Sequence, residues 1–162
     1  MSDKKSVNLR IETNLKEMVE RVSRALLGDD RPSALSTTAE KLIIIGLGAQ
    51  KAGIEPQVVG PLGVLPRPFT TPSFGGEKVT MGTQLRTSTL QELQDHFDTK
   101  KHTAAREALL FGILIVQLDD LKLEGPLGGS RPFAELDVDE RVAGDEAKQT
   151  LEDVMTAINN SL

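Results

Sequence analysis

The feature that most constrains this chain is a strand–helix–helix pattern that occurs twice. Four segments of the first half recur in the same order in the second half, which favours duplication over chance. Their offset is near 65 residues from the second helix onward and about 76 at the strand, which predicts a longer turn between the helices of the first copy. The paired segments are Leu9-Arg10 and Leu85-Arg86, Leu15–Met18 and Leu90–Leu93, Thr37–Leu47 and Thr103–Ile113, and two Gly-Pro-Leu-Gly…Arg-Pro-Phe trailers at 60–69 and 125–133.

Each copy opens with a run in which apolar and polar residues alternate, at 5–12 and at 79–87. Alternation with a period of two predicts a strand with one buried face. The residues expected to point inward are Val7, Leu9, Ile11 and Leu85. The residues expected to point outward are Asn8, Arg10, Gln84 and Arg86. An amide side chain two residues before an arginine suits the reading of base edges, because Asn or Gln pairs with adenine and Arg with guanine in the major groove.

Two helices are predicted after each strand, and the second of each pair is apolar nearly all round. Such a helix is expected to be buried between several elements. In the first copy it begins at Ser33 or Ser36, or at the capping-box match that starts with Thr37, and ends near Lys51. In the second copy it runs from Thr103 to Leu118.

The remaining residues form a connector and a tail. Residues 53–78 hold five Pro and five Gly without clear periodicity, so we expect a connector with no regular element of its own. Residues 119–162 are acidic, and a helix is predicted at about 145–160. Its apolar stripe consists of Leu151, Val154, Met155, Ile158 and Leu162.

The net charge of −5 is unevenly distributed. Residues 1–52 carry +2, residues 53–118 are balanced, and residues 119–162 carry −7. Proteins that bind nucleic acids usually present a basic surface. The acidity belongs to the tail, and the repeated region is close to neutral, which weakens the objection to a nucleic-acid partner without removing it.

Composition argues against several other classes. The chain has no Cys, which excludes disulfides and thiolate chemistry and fits a reducing compartment. The longest apolar run, Leu42–Leu47, is too short to cross a bilayer, so we expect a cytoplasmic protein with no membrane contact. His96 and His102 lack the spacing of metal ligands. We expect no metal, no cofactor, no catalytic residues and no enzymatic activity.

A strand, a helix, a turn and a buried helix in about 45 residues resemble the ribbon–helix–helix (Arc/MetJ-type) DNA-binding unit. The resemblance implies an α+β, mostly helical fold in which two units share a two-stranded antiparallel ribbon, followed by a C-terminal helix. Because both units lie in one chain, it implies an intramolecular pseudo-dimer; a higher oligomer stays open. The expected organisation is a first unit at 5–52, a connector at 53–78, a second unit at 79–118 that packs with the first as one domain, and an acidic segment at 119–162.

Tandem units of this kind are similar to the TraY-type relaxosome proteins and the VirC-type T-DNA processing proteins. That resemblance implies sequence-specific binding of double-stranded DNA through a β-ribbon in the major groove. The process is either conjugative or T-DNA-type DNA processing, with a relaxase as a partner of the C-terminal segment, or transcriptional regulation. The repeat aligns Gly82 with Ser6. The two halves of the ribbon are therefore expected to make unequal contacts.

The candidate contact residues fall into two groups. Those expected to touch bases are Asn8, Arg10, Gln84, Arg86, Ser6 and Thr80. Those expected to hold phosphates stand at the predicted starts of the second helices, where free amides and the helix dipole attract anions; they are Ser36, Thr37, Thr38, Lys101, His102 and Thr103. A solvated strand face and ordinary helix capping are the alternative interpretations of the two groups.

The acidic tail suggests a second function. Its amphipathic helix suits an interaction protein, such as an antitoxin or an adaptor, that binds another protein through this segment. Packing of the apolar stripe on the protein's own core is the simpler interpretation.

Overall fold

The computed structural model describes residues 4–52, 57–60, 63–65, 77–116, 134–135 and 145–160. Leu118, Leu162 and most of the two trailers lie outside the described residues. The elements in chain order are β1 (Lys4–Glu12), α1 (Thr13–Leu27), α2 (Pro32–Lys51), β2 (Gln57–Gly60), β3 (Gly63–Leu65), β4 (Lys78–Arg86), α3 (Thr87–Phe97), α4 (Lys101–Val116), β5 (Ala134–Glu135) and α5 (Asp145–Asn160). The fold is α+β and mostly helical, as the sequence predicts.

Strands β1 and β4 form a two-stranded antiparallel ribbon, in which Asn8 pairs with Gly82 at the centre and Lys4 pairs with Arg86 at one end. The predicted alternation is present in both strands, because every second residue from Val7 to Ile11 and from Met81 to Leu85 is buried. The inward residues are Val7, Leu9, Ile11, Met81, Thr83 and Leu85. The ribbon therefore has one face on the core and one polar face outside.

Helices α2 and α4 cross in the middle of the core. At the crossing, a Cβ atom added to Gly46 would lie 1.9 Å from the carbonyl oxygen of Ala108. The reciprocal contact is equally close, since a Cβ on Gly112 would lie 2.1 Å from the oxygen of Leu42. Glycine is required at both positions, because the two backbones touch where a side chain would otherwise stand. The paired glycines of the sequence repeat thus mark one symmetric contact.

The extra residues of the first copy lie in its helices, not in its turn as the offset predicted. Helix α1 has 15 residues where α3 has 11, and α2 has 20 where α4 has 16. The connections are almost equal, at residues 28–31 and 98–100. Both first helices end in a left-handed residue, Gly28 with φ 79° and Asp98 with φ 50°. Both connections therefore begin with the same kind of left-handed helix cap, and in the first unit the helix on each side of the connection is longer by about one helical turn.

Opposite charges end the two strands, and each meets the other unit's second helix. Arg106 of α4 donates to the buried carboxylate of Glu12 at 2.5 Å. At the other end, the backbone N–H of Arg86 donates to Glu40 of α2 at 3.2 Å, and the Arg86 Nε lies 3.9 Å from the same carboxylate oxygen. Glu40 and Arg106 occupy equal places in the repeat. The two units are thus joined by one pattern of ion pairs with the signs exchanged.

The predicted C-terminal helix is present as α5, and its apolar stripe packs on α1 and α2. Ala147, Leu151 and Val154 are buried, and Met155 and Ile158 pack against them. The stripe therefore completes the core, which is the simpler of the two interpretations.

The connector departs from expectation, because it contains two strands. Strands β2 and β3 pair antiparallel, and β5 pairs with the other side of β2 in a three-stranded sheet. These strands have only two to four residues, too few for an alternating pattern to be recognised in the sequence.

Candidate nucleic-acid interface

The polar face of the ribbon is the candidate interface. Six of its residues are exposed, namely Ser6, Asn8, Arg10, Thr80, Gly82 and Gln84. A two-stranded antiparallel ribbon is narrow enough to enter the major groove of B-DNA. Alternation places the side chains of its outer face in one row. Five of the six predicted base-contacting residues lie in this row, and the sixth, Arg86, lies at its end.

The two strands are related by a pseudo-two-fold axis through the Asn8–Gly82 pair. Both strands have nine residues and run directly into a helix, at Thr13 and at Thr87, so equivalent residues differ by 74. The observed register satisfies this relation, because only Asn8 is paired with its own equivalent. The echo of Leu9-Arg10 in Leu85-Arg86 is therefore misaligned by two residues.

The corrected alignment changes which residues correspond. Arg10 is equivalent to Gln84, and Arg86 is equivalent to Glu12. Ser6 is equivalent to Thr80, and Gly82 stands opposite Asn8 instead of Ser6. A shift of two residues keeps the same faces buried, so the alternation alone cannot distinguish an offset of 74 from one of 76. The offset is fixed at 74 because a first helix begins directly after each strand, a condition that a two-letter echo does not contain.

Arg86 is held at the edge of the interface by carboxylates. Its guanidinium donates a hydrogen bond to Glu146 at the start of α5, and its side chain is 40% exposed. The hydrogen bond to Glu146 raises the pKa of Arg86, so the group stays charged, and the nearby Glu40 adds to this effect. Arg86 thus has two acidic partners before any ligand binds. Its predicted base contact requires the base to displace a carboxylate from the guanidinium.

The start of α2 lies beside the ribbon. The hydroxyl of Ser36 accepts a hydrogen bond from the backbone N–H of Gln84 at 2.9 Å, and Thr83 donates to the carbonyl of Ser36. A shallow groove joins these residues to the outer face. Its lining includes Lys4, Ser6, Asn8, Ser33, Thr37 and Gln84. A ligand on the ribbon would therefore meet the first turn and a half of α2.

The predicted phosphate residues of α2 stand one turn too far into the helix. The helix begins at Pro32, with Arg31 as its N-cap, so the capping-box match from Thr37 is internal. Thr37 donates to the carbonyl of Ser33 within the helix, and Thr38 is fully buried, which removes it from the surface. The amides left over at this end belong to Ser33 and its neighbour, since the N–H of Leu35 is bonded to Arg31. Proline at the first helical position was the signal for this start.

The predicted phosphate residues of α4 do form its first turn. The helix begins at Lys101, and the first backbone bond runs from Ala104 to Lys100. The amides of Lys101, His102 and Thr103 therefore have no partner within the helix. His102 and Thr103 are exposed. Since Ser36 and His102 are equivalent in the repeat, we expect His102 to lie beside Arg10 as Ser36 lies beside Gln84.

Two further candidates were missed in the sequence, Lys4 and Lys78, which occupy equivalent positions at opposite ends of the outer face. Lys4 is paired with Glu40 at 3.2 Å. Lys78 is exposed and pairs across the ribbon with Glu12. Counting back equally from the two helix starts would have identified both residues.

Within the described residues, no group of three or more His, Asp or Glu side chains is arranged to hold a metal ion. None of the helices described is long and apolar enough to span a membrane. His96, one of the two histidines, packs edge-to-face on Phe97 with ring centroids 5.0 Å apart.

Comparison of the chain with protein-family models, with curated proteins and with solved structures gave no match. The interface is therefore described by its own geometry: a two-stranded ribbon with a polar outer face, flanked by the N-termini of two buried helices.

Proposed function

We propose that the chain binds double-stranded DNA sequence-specifically, with the β1–β4 ribbon in the major groove and the two strand–helix–helix segments acting as a single-chain pair of ribbon–helix–helix units. One observation carries the proposal: the ribbon stands alone as a two-stranded sheet, with one face buried on helices and the other a row of exposed amide, hydroxyl and guanidinium groups. That row matches the donors and acceptors of base edges.

The helix starts supply a second kind of contact. Free amides in the first turn of α4, beside Lys100 and Lys101, suit a phosphate of the DNA backbone, because the positive end of the helix dipole adds to the lysine charges. Ser33 and Ser36 offer hydrogen bonds on the opposite flank. Phosphate contacts on both flanks would fix the position of the ribbon, while the outer-face side chains read the sequence.

The acidic net charge is compatible with this role. In the sequence, the −7 lies in residues 119–162, outside the two strand–helix–helix segments, and in the structure the acidic start of α5 contacts Arg86 at the edge of the ribbon. The pairing of Lys4 with Glu40 also reduces the positive charge near the ribbon. We therefore expect moderate affinity that depends strongly on hydrogen bonds to bases.

The experiment is a mobility-shift titration on a duplex selected from random sequence. Arg10→Ala should weaken binding to the selected duplex by about 1–3 kcal/mol and relax the preference at one position. The matched control is Arg24→Ala, because Arg24 is an exposed arginine of α1 that bonds Asp30 away from the ribbon. Equal affinities of the Arg10 variant, the control and the parent would contradict the proposal.

The same selection, performed on genomic fragments, separates the two candidate processes. Enrichment of a transfer origin or border favours an accessory role in DNA processing. Enrichment of promoter sequences favours transcriptional regulation. Enrichment of neither class, with no shifted duplex, would argue against DNA as the ligand.

A further inference from the structure

Resting on the proposed DNA-binding function, we propose that this chain reads a non-palindromic duplex site, with a guanine contacted by Arg10 in one half and an adenine contacted by Gln84 in the other. The two residues stand at equivalent positions, each two residues beyond the Asn8–Gly82 centre. Both are exposed on the outer face. The ribbon thus presents different reading groups at the same distance on either side of its axis.

The chemistry of the two side chains assigns the bases. A guanidinium donates two parallel hydrogen bonds to O6 and N7 of guanine, and a carboxamide pairs with N6 and N7 of adenine. Neither side chain substitutes well for the other, because arginine has only donors, whereas the adenine edge needs one donor and one acceptor. Equivalent positions therefore discriminate between different bases.

The register also gives the spacing. Arg10 pairs with Thr80 and Gln84 pairs with Ser6, so four residues of each strand separate the two reading positions. At about 3.3 Å per strand residue this is roughly 13 Å. At a rise of about 3.4 Å per base pair along the duplex axis, this distance corresponds to at most about four base pairs between the guanine and the adenine.

The centre of the ribbon strengthens the asymmetry. Asn8 carries the amide at the axis, and its equivalent Gly82 carries no side chain. A Cβ on Gly82 would lie 3.6 Å from the Asn8 Oδ1. The central contact therefore comes from one strand only, while the outer positions, Ser6 with Thr80 and Lys4 with Lys78, match in chemistry.

The flanks differ in charge in the same sense. On the Gln84 side, the helix start presents Ser33, Ser36 and Thr37, its N-cap Arg31 is paired with Asp29 at 3.2 Å, and Lys4 is paired with Glu40. On the Arg10 side, the helix start carries Lys100, Lys101 and His102. Because each neutralised phosphate releases counterions, the guanine half of the site should account for most of the salt dependence.

The test is random-site selection with the full chain and three variants. The parent should enrich a non-palindromic site. Arg10→Gln should enrich adenine in both halves and Gln84→Arg should enrich guanine in both halves, so that each variant selects a more nearly palindromic site. Arg24→Gln, a change of the same kind on α1, should leave the parental site unchanged. Replacing the guanine in the parental duplex should weaken parental binding roughly tenfold or more, and Arg10→Gln should bind the two duplexes alike.

The outcomes separate this inference from the proposed function. A palindromic parental site, or variants that change affinity without changing the preferred base, would overturn the inference while leaving DNA binding intact. Failure of the parent to enrich any duplex would refute the proposed function itself. Thermal unfolding of each variant near the parental temperature excludes a folding defect, and is expected because both positions are exposed.

Discussion

Replacing Gly46 by alanine is expected to destabilise the protein, although alanine is the better helix former. The added Cβ would lie 1.9 Å from the carbonyl oxygen of Ala108, whereas ordinary contact begins at 3.4 Å. Helices α2 and α4 must therefore separate by about 1.5 Å at their crossing. The obstacle is backbone and has no rotamer with which to move aside.

The magnitude follows from two opposing terms. Overpacking that forces backbone shifts costs about 1–3 kcal/mol or more, and opening a packed interface by 0.5–1 Å already forfeits a quarter to a half of the dispersion energy across it. Against this, Gly→Ala inside a helix gains about 1 kcal/mol. Overpacking alone then leaves a net loss of up to about 2 kcal/mol in the free energy of unfolding, and the lost dispersion energy adds to it.

Urea denaturation followed by far-ultraviolet circular dichroism is the appropriate assay, because the chain has no Trp or Tyr for fluorescence. Gly112→Ala should lose a similar amount, since its Cβ meets the oxygen of Leu42 at 2.1 Å. The double variant should lose less than the sum, because both changes separate the same two helices. Gly82→Ala is the matched control, with its nearest contact at an ordinary 3.6 Å. A Gly46 variant as stable as this control would refute the reasoning.

Three further predictions concern the charged groups. Glu12→Arg should lower the free energy of unfolding by about 3–5 kcal/mol, because it places a second cation against Arg106 in a buried site. Adding Arg106→Glu should recover much of this loss in urea titrations. No recovery would show that the charges at the strand ends do not determine which second helix packs on which strand. Glu146→Gln should change the free energy of unfolding by less than about 1 kcal/mol, because the Arg86–Glu146 pair is exposed on both sides; a larger loss would mean that this pair anchors α5. The side-chain hydrogen bond from Arg31 lowers the pKa of Asp29 below its ordinary 3.8. The ionised carboxylate therefore stabilises the turn between α1 and α2 above pH 3.8, and this stabilisation is lost as the pH falls through the lowered pKa. Carboxyl NMR titration should show the low pKa and Arg31→Ala should raise it, whereas a pKa unchanged by the substitution would assign the effect to another group.

Local patterns in the sequence predicted much of the fold. Alternation identified the inward faces of both strands, since a buried face leaves a period of two in any sequence. The apolar second helices predicted a core between two units. The coincidence of Gly46 with Gly112 in the repeat pointed to equivalent positions, and the structure assigns the reason, which is backbone contact at the crossing.

Element starts were less well predicted, because competing local signals favour different positions. The Thr37–Glu40 box lies inside α2, where Glu40 turns to the ribbon and bonds the N–H of Arg86. The side chain that a capping box would use locally is thus engaged by a strand 46 residues away. Tertiary contacts override the cap, and Pro32 begins the helix instead.

The sequence by itself determined that two similar units must share a core, because neither can bury its apolar helix alone. Only the tertiary structure decided how the units are aligned. The strand register sets the offset between equivalent residues at 74, so that Arg10 and Gln84 occupy equivalent positions. The packing of α5 gives Arg86 a partner 60 residues away in the chain. These relations depend on which faces are buried and which backbones touch, and contacts between distant residues leave no periodic trace in the chain.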